Sequence, residues 1–178
     1  GKFERRLEIM KPDSNEYAPY YKQYVDLIDS ENILEVLESQ LQEVENLFNS
    51  IDEERSNFRY AEKKWSIKEV LGHLLDSERI FSCRILRVSR SDPNQLSTFD
   101  ENLFIEESNY SSLKLKDILN EFVLLRKSTI LMLKGLKEKM FLKTGIINGQ
   151  NISVRALAYI IAGHTLHHLN VIKERYLK

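Results

Sequence analysis

Of the four histidines in this 178-residue chain, three have the placement of a single site. His164 and His168 are four residues apart, and residues so spaced on an α-helix lie almost over each other, about 40° around the axis. At about 100° per residue, Leu157, Ile160, Ile161, Val171 and Ile172 fall within roughly 80° of His164. Arg155, Asn170 and Lys173 fall on the far side. Both histidines thus lie inside an apolar stripe, where an unpaired polar group costs about 1–3 kcal/mol. A divalent cation satisfies two imidazoles at once. His73, on the edge of a second apolar sector centred near Leu74, Phe81 and Ile85, is the third candidate ligand. His167 competes with His168 but lies about 60° toward the margin of its stripe, so His168 is the better placed. Three neutral imidazoles leave a coordination position open, as in catalytic rather than closed structural sites. Nitrogen donors favour Zn²⁺ or Ni²⁺, with Fe²⁺ or Mn²⁺ next, over Mg²⁺ and Ca²⁺. Such an ion lowers the pKa of its bound water to about 7.

Fewer residues suggest themselves as catalytic partners. Asp76, one turn from His73, is placed either to orient a ligating imidazole or to pair with Arg79 at the surface. Arg84, three turns beyond His73, can meet an anionic group at a pocket mouth or pair with Asp100 or Glu101. Cys83, the only cysteine, reads as inert packing in mid-helix. No P-loop, dinucleotide fingerprint, nucleophile elbow or HExxH motif is present.

Helices must position these side chains. Only three prolines and six glycines punctuate the chain, and its apolar spacing is helical. A tyrosine-rich lead-in, Glu16 to Ile28, precedes a first long helix from about Asp29 or Ser30 to Phe48. Ser66 and Glu69 form a capping box, flanked by the staple pair Trp65 and Val70, for a second helix from Ile67 to about Val88. A connection from about Ser89 to Ser112 leads to a third helix, about Leu113 to Gly135. Asn148-Gly149 signals a turn, and Ser153 caps the last helix, with Ile152 and Leu157 as its staple. No segment reads convincingly as strand. The expected fold is all-α, one domain over residues 1–178, with a four-helix up-and-down bundle as the default. The connection between helices 2 and 3 is too long for a simple hairpin.

The totals exclude several classes. With 26 basic and 27 acidic residues the net charge is −1, which gives no phosphate-binding field and speaks against nucleic acid. A single cysteine excludes an intrachain disulfide and suits a reducing cytoplasm. The longest apolar run, Ala156 to Ala162, is far short of the roughly 20 residues that span a bilayer. The first residues, Gly1 to Arg6, do not read as a signal peptide.

The stretch from Lys64-Trp65-Ser66-Ile67-Lys68-Glu69-Val70-Leu71-Gly72-His73 through Arg79 resembles the second-helix motif of the DinB/YfiT-like superfamily. Ala158-Tyr159-Ile160-Ile161-Ala162-Gly163-His164-Thr165-Leu166-His167-His168 resembles its last helix. Glu16-Tyr17-Ala18-Pro19-Tyr20-Tyr21 and Ser97-Thr98-Phe99-Asp100 are similar too, so the resemblance covers nearly the whole chain. It implies a four-helix bundle holding a divalent metal on His73, His164 and His168. It also implies metal-dependent hydrolysis or transfer of a low-molecular-weight thiol, with the analogy to relatives leaning toward thiol transfer. The expected partner is a small molecule, a homodimer is open, and neither nucleic acid nor membrane is expected. The alternative is a non-enzymatic stress-response or interaction module whose metal is structural or adventitious.

Overall fold

The computed structural model describes residues 10–178. Its α-helices are α1 (Lys22–Val25), α2 (Ile33–Asn49), α3 (Ile67–Ser89), α4 (Glu101–Glu106), α5 (Leu115–Lys134) and α6 (Val154–Val171). The capping box starts α3. Ser66 Oγ accepts the Glu69 amide at 3.3 Å, and the Glu69 carboxylate accepts the Ser66 amide at 3.0 Å. Ser153 Oγ accepts the Ala156 amide at 3.0 Å and starts α6. The first long helix begins later than expected, capped by Asn32 in place of Asp29 or Ser30. No helix among the described residues is long and apolar enough to cross a membrane.

Helices α2, α3, α5 and α6 form the four-helix bundle. Lys134 near the end of α5 pairs with Glu38 of α2, while Glu53, just past α2, accepts the Leu115 and Lys116 amides at the start of α5. These two helices are antiparallel. The Tyr159 hydroxyl donates to the Ser30 carbonyl at 2.8 Å, and Lys173 pairs with Glu43 at 3.4 Å, so α2 and α6 run parallel. Tyr110, ahead of α5, bonds Asp76, and Thr129 in its second half bonds Glu78, so α3 and α5 are also parallel. The order is therefore up, down, down, up. Helices α2 and α3 each pack on both α5 and α6, so α2 lies diagonal to α3 and α5 diagonal to α6. The long connection explains this departure from strict up-and-down alternation. Because α3 and α5 point the same way, the chain between them must travel back along the bundle, and it carries α4 as it does so.

One expectation is corrected. The segment between α5 and α6 is an antiparallel hairpin, β1 (Thr144–Ile147) and β2 (Gln150–Ser153), with Thr144 opposite Ser153 and Ile147 opposite Gln150. Asn148 and Gly149 make its turn with φ of 50° and 73°, the left-handed pair of a type I′ turn. Four-residue strands are too short for alternation to stand out from a loop. Leu96 of the long connection forms a single bridge to Ile147.

The core has two apolar lobes. One gathers Leu37, Phe81, Ile85, Leu133, Phe141 and Ile160; the other gathers Phe48, Leu71, Leu75, Phe122, Leu169 and Ile172. Along each helix a buried polar residue falls at the border between lobes: Gln40, Glu78, Arg126 with Thr129, and Thr165. They bond to one another. Arg126 Nε donates to both Glu78 oxygens (2.7 and 3.0 Å), Nη1 to Gln40 Oε1 (3.1 Å) and Nη2 to Thr165 Oγ1 (3.0 Å). Thr129 Oγ1 donates to Glu78 at 3.1 Å, and Gln40 Nε2 donates to the Ala162 carbonyl at 2.7 Å. Helical periodicity did not reveal this polar layer, which joins all four bundle helices.

Candidate functional site

The histidine cluster sits at the level of that layer, in the seam between antiparallel α3 and α6. Each of His73, His164 and His168 presents one ring nitrogen to a group whose atoms all lie within 4.8 Å of one another. His73 Nε2 and His164 Nε2 are 3.0 Å apart. The three rings meet edge-on, with centroids 4.6 to 4.9 Å apart. His73 and His164 are buried and His168 is half-buried. Burial holds all three imidazoles neutral: His73 is pushed down to about 4, and His164 and His168 lie well below the usual histidine range. Neighbouring histidines add to the effect.

Neutral, convergent nitrogens are what a borderline cation requires. Two ligands at about 2.0–2.1 Å from a tetrahedral ion stand about 3.3 Å apart, and the 3.0 Å separation is close to that. The donor set therefore fits a divalent metal. His167 is not in this group. It faces Tyr24 at 5.8 Å between ring centroids, on the side of α6 that the stripe's margin predicts.

Two glycines admit neighbouring segments against the helices that carry the cluster, and each directly precedes a histidine. A Cβ on Gly163 would stand 1.9 Å from the Tyr24 carbonyl oxygen, so only glycine permits α1 to lie on α6 there. A Cβ on Gly72 would stand 2.3 Å from the Tyr110 ring. Tyr24 consequently packs edge-on against His164 at 5.2 Å; Trp65, just ahead of α3, independently covers His73 at 4.7 Å.

The partners of these histidines differ from those the sequence suggests. Ser77 Oγ lies 3.5 Å from His73 Nδ1, and it is Ser77, at i+4, that shares the His73 face. Asp76 turns instead to the crossover and accepts the Tyr110 hydroxyl at 2.6 Å. Burial raises the Asp76 carboxyl and, with Asp76 beside it, the Tyr110 hydroxyl as well. Arg79 pairs with Glu121. The carboxylate that reaches the cluster is Glu101, at the start of α4, with Oε2 3.7 Å from His73 Nε2. Burial, then Asp100, raises its pKa. Ser77 was legible from helical spacing. Glu101 was not, because nothing in the chain reveals the path of a long connection.

A cavity of about 370 Å³ opens beside His164, Ser77 and Glu101 and is walled by Phe81, Tyr24 and Arg84. Arg84 is buried but forms neither of the ion pairs considered for it. Its Nη2 donates to the Ser97 carbonyl at 2.5 Å. A second cavity of about 340 Å³, sharing no lining residue with the first, reaches His168 beneath Lys63, Lys64 and Arg175. Cys83, expected to be packed, is exposed. Two residues from buried Phe81 it points about 200° around the helix, away from the core.

No curated protein matches the sequence. Among solved structures, YfiT from Bacillus subtilis superposes with a TM-score of 0.73 at 16% identity, over 92% of this chain and 90% of that one. That protein is described as a probable metal-dependent hydrolase with an unusual four-helix bundle topology. The superposition establishes the shared fold, and the sequence itself matches the DinB superfamily over residues 37–172, which include all three clustered histidines. The chain belongs to the DinB superfamily.

Proposed function

We propose that this protein is a metal-dependent enzyme acting on a small molecule, with a divalent ion, Zn²⁺ or Ni²⁺ foremost, held by His73, His164 and His168. The observation that carries the reading is the convergence of three neutral imidazoles at the edge of a cavity of ligand size. When bound, such an ion supplies a Lewis acid and an activated nucleophile. The other roles fall to the chain. Ser77 steadies the His73 ring at Nδ1, and Trp65 and Tyr24 shield the cluster from bulk water. Glu101 Oε2 accepts and returns the proton of a hydrolytic water. Hydrolysis is the first reading, and the description of YfiT as a probable metal-dependent hydrolase supports it by analogy.

A specific feature favours a second reading. His164 borders one cavity and His168 a separate one with a basic rim, an arrangement suited to two substrates meeting at one centre. Transfer of a low-molecular-weight thiol onto an electrophile would use it, because metal coordination deprotonates a thiol without a protein base. The test is elemental analysis of tag-free protein, followed by ester, amide and thiol–electrophile substrates with added Zn²⁺, Ni²⁺ or Mn²⁺. Ester or amide cleavage without thiol, impaired in Glu101→Gln, is the result expected of hydrolysis. Consumption of monobromobimane that needs metal and added thiol and survives Cys83→Ser selects transfer. Metal-free protein with neither activity overturns both and leaves the non-enzymatic module.

A further inference from the structure

Arg84 is only 5% exposed, yet no carboxylate among the described residues lies within ion-pair distance of it. Its Nη2 is occupied by the Ser97 carbonyl, a neutral acceptor, and its Nε is buried with no hydrogen-bond partner. A buried cation without a counter-charge is costly, and such groups are retained where a ligand supplies the missing charge. Burial is also the main influence on its pKa, which it lowers against the opposing effect of Tyr21. Arg84 lines the same cavity as the histidine end of the site.

We propose that Arg84 anchors the anionic end of the substrate, and that the substrate is a small carboxylic acid whose reactive group lies at the histidines. This rests on the metal-centre reading for the reacting end alone. The layout of the cavity supplies the rest. Glu101 and His164 mark one end, Arg84 marks another wall, and the Phe81 ring stands between them. The Arg84 guanidinium carbon is 5.6 Å from the Phe81 centroid, and that centroid is 5.9 Å from the centroid of His164. A ligand bridging the two ends needs an apolar spacer to cross Phe81, with Ile152 and Phe99 also on the wall. One guanidinium balances one negative charge, and the Glu101 carboxylate in the same cavity opposes a second. A monoanionic carboxylate therefore fits better than a phosphate dianion. The cavity volume of about 370 Å³ limits the ligand to a small molecule.

The experiment compares hexanoate with its neutral isostere hexanamide, titrated into the full chain and followed by protein NMR, before and after chelation. Hexanoate is expected to bind at least tenfold more tightly than hexanamide in both samples. Arg84→Met is expected to abolish that preference, and Arg84→Lys to retain part of it. Equal affinity for acid and amide in the unsubstituted protein overturns the proposal whether or not the variants fold. So does an unchanged preference in a folded Arg84→Met protein. A preference that vanishes on chelation and survives Arg84→Met places the carboxylate on the metal, which overturns the Arg84 anchor and leaves the metal centre standing. Absence of metal with an Arg84-dependent preference intact removes the metal centre and leaves the anchor.

Discussion

His167 and His168 are adjacent in sequence and chemically identical, but only His168 faces His73 and His164. Substitution should separate them. His168→Ala is expected to abolish stoichiometric metal in elemental analysis, whereas His167→Ala should retain it. Equal loss from both would refute the ligand assignment. Depression of the histidine pKa values has a second consequence, visible in the metal-free protein. His73 titrates near 6.5 in an unfolded chain and near 4 in the folded one, so between those values the unfolded state binds more protons. Stability should therefore fall as pH drops from about 6.5 to about 4, by about 3 kcal/mol from His73 at most. Urea midpoints measured across that range check it, and the slope should flatten in His73→Gln. The convergence of the histidines was legible in part because helical angle alone places His164 and His168 on one buried face. Glu101 shows the limit, since it reaches His73 only through the path of the long connection, which helical spacing does not fix.

At the scale of elements, helix ends were the most legible features, because Ser66, Glu69 and Ser153 act through local hydrogen bonds that the sequence writes out in order. The hairpin and the crossover were not, since their positions depend on partners far along the chain. Gly163 shows how such a partner is fixed. It lies against the backbone of α1, which cannot yield as a flexible side chain would. Gly163→Ala is expected to destabilise the fold by about 1–3 kcal/mol. It should also lift Tyr24 from His164, seen as a change in the His164 ring resonances by NMR. A stable Gly163→Ala protein with unchanged resonances would show that α1 does not press on α6 there.

For the whole molecule, the polar layer fastens four helices through Arg126. Arg126→Met leaves Glu78 buried and unpaired, at an expected cost of about 3–5 kcal/mol in chemical denaturation. Adding Glu78→Leu should recover part of that loss, since the pair then disappears together. The proposed metal is not expected to hold the bundle together, because His73, His164 and His168 lie on helices already capped and packed. Chelation should leave the far-ultraviolet circular dichroism unchanged and lower the melting temperature. Loss of helix on chelation would make the ion structural.

The up, down, down, up order also governs when the site can come into being. His73 and His164 are 91 residues apart, and the intervening chain contains the crossover, all of α5 and the hairpin. A ribosome adding about 5–20 residues per second incorporates His73 about 5–20 s before His164. During that interval α3 has an apolar face without α6 and a lone imidazole without its cluster. The three histidines can therefore come together only in a nearly finished chain.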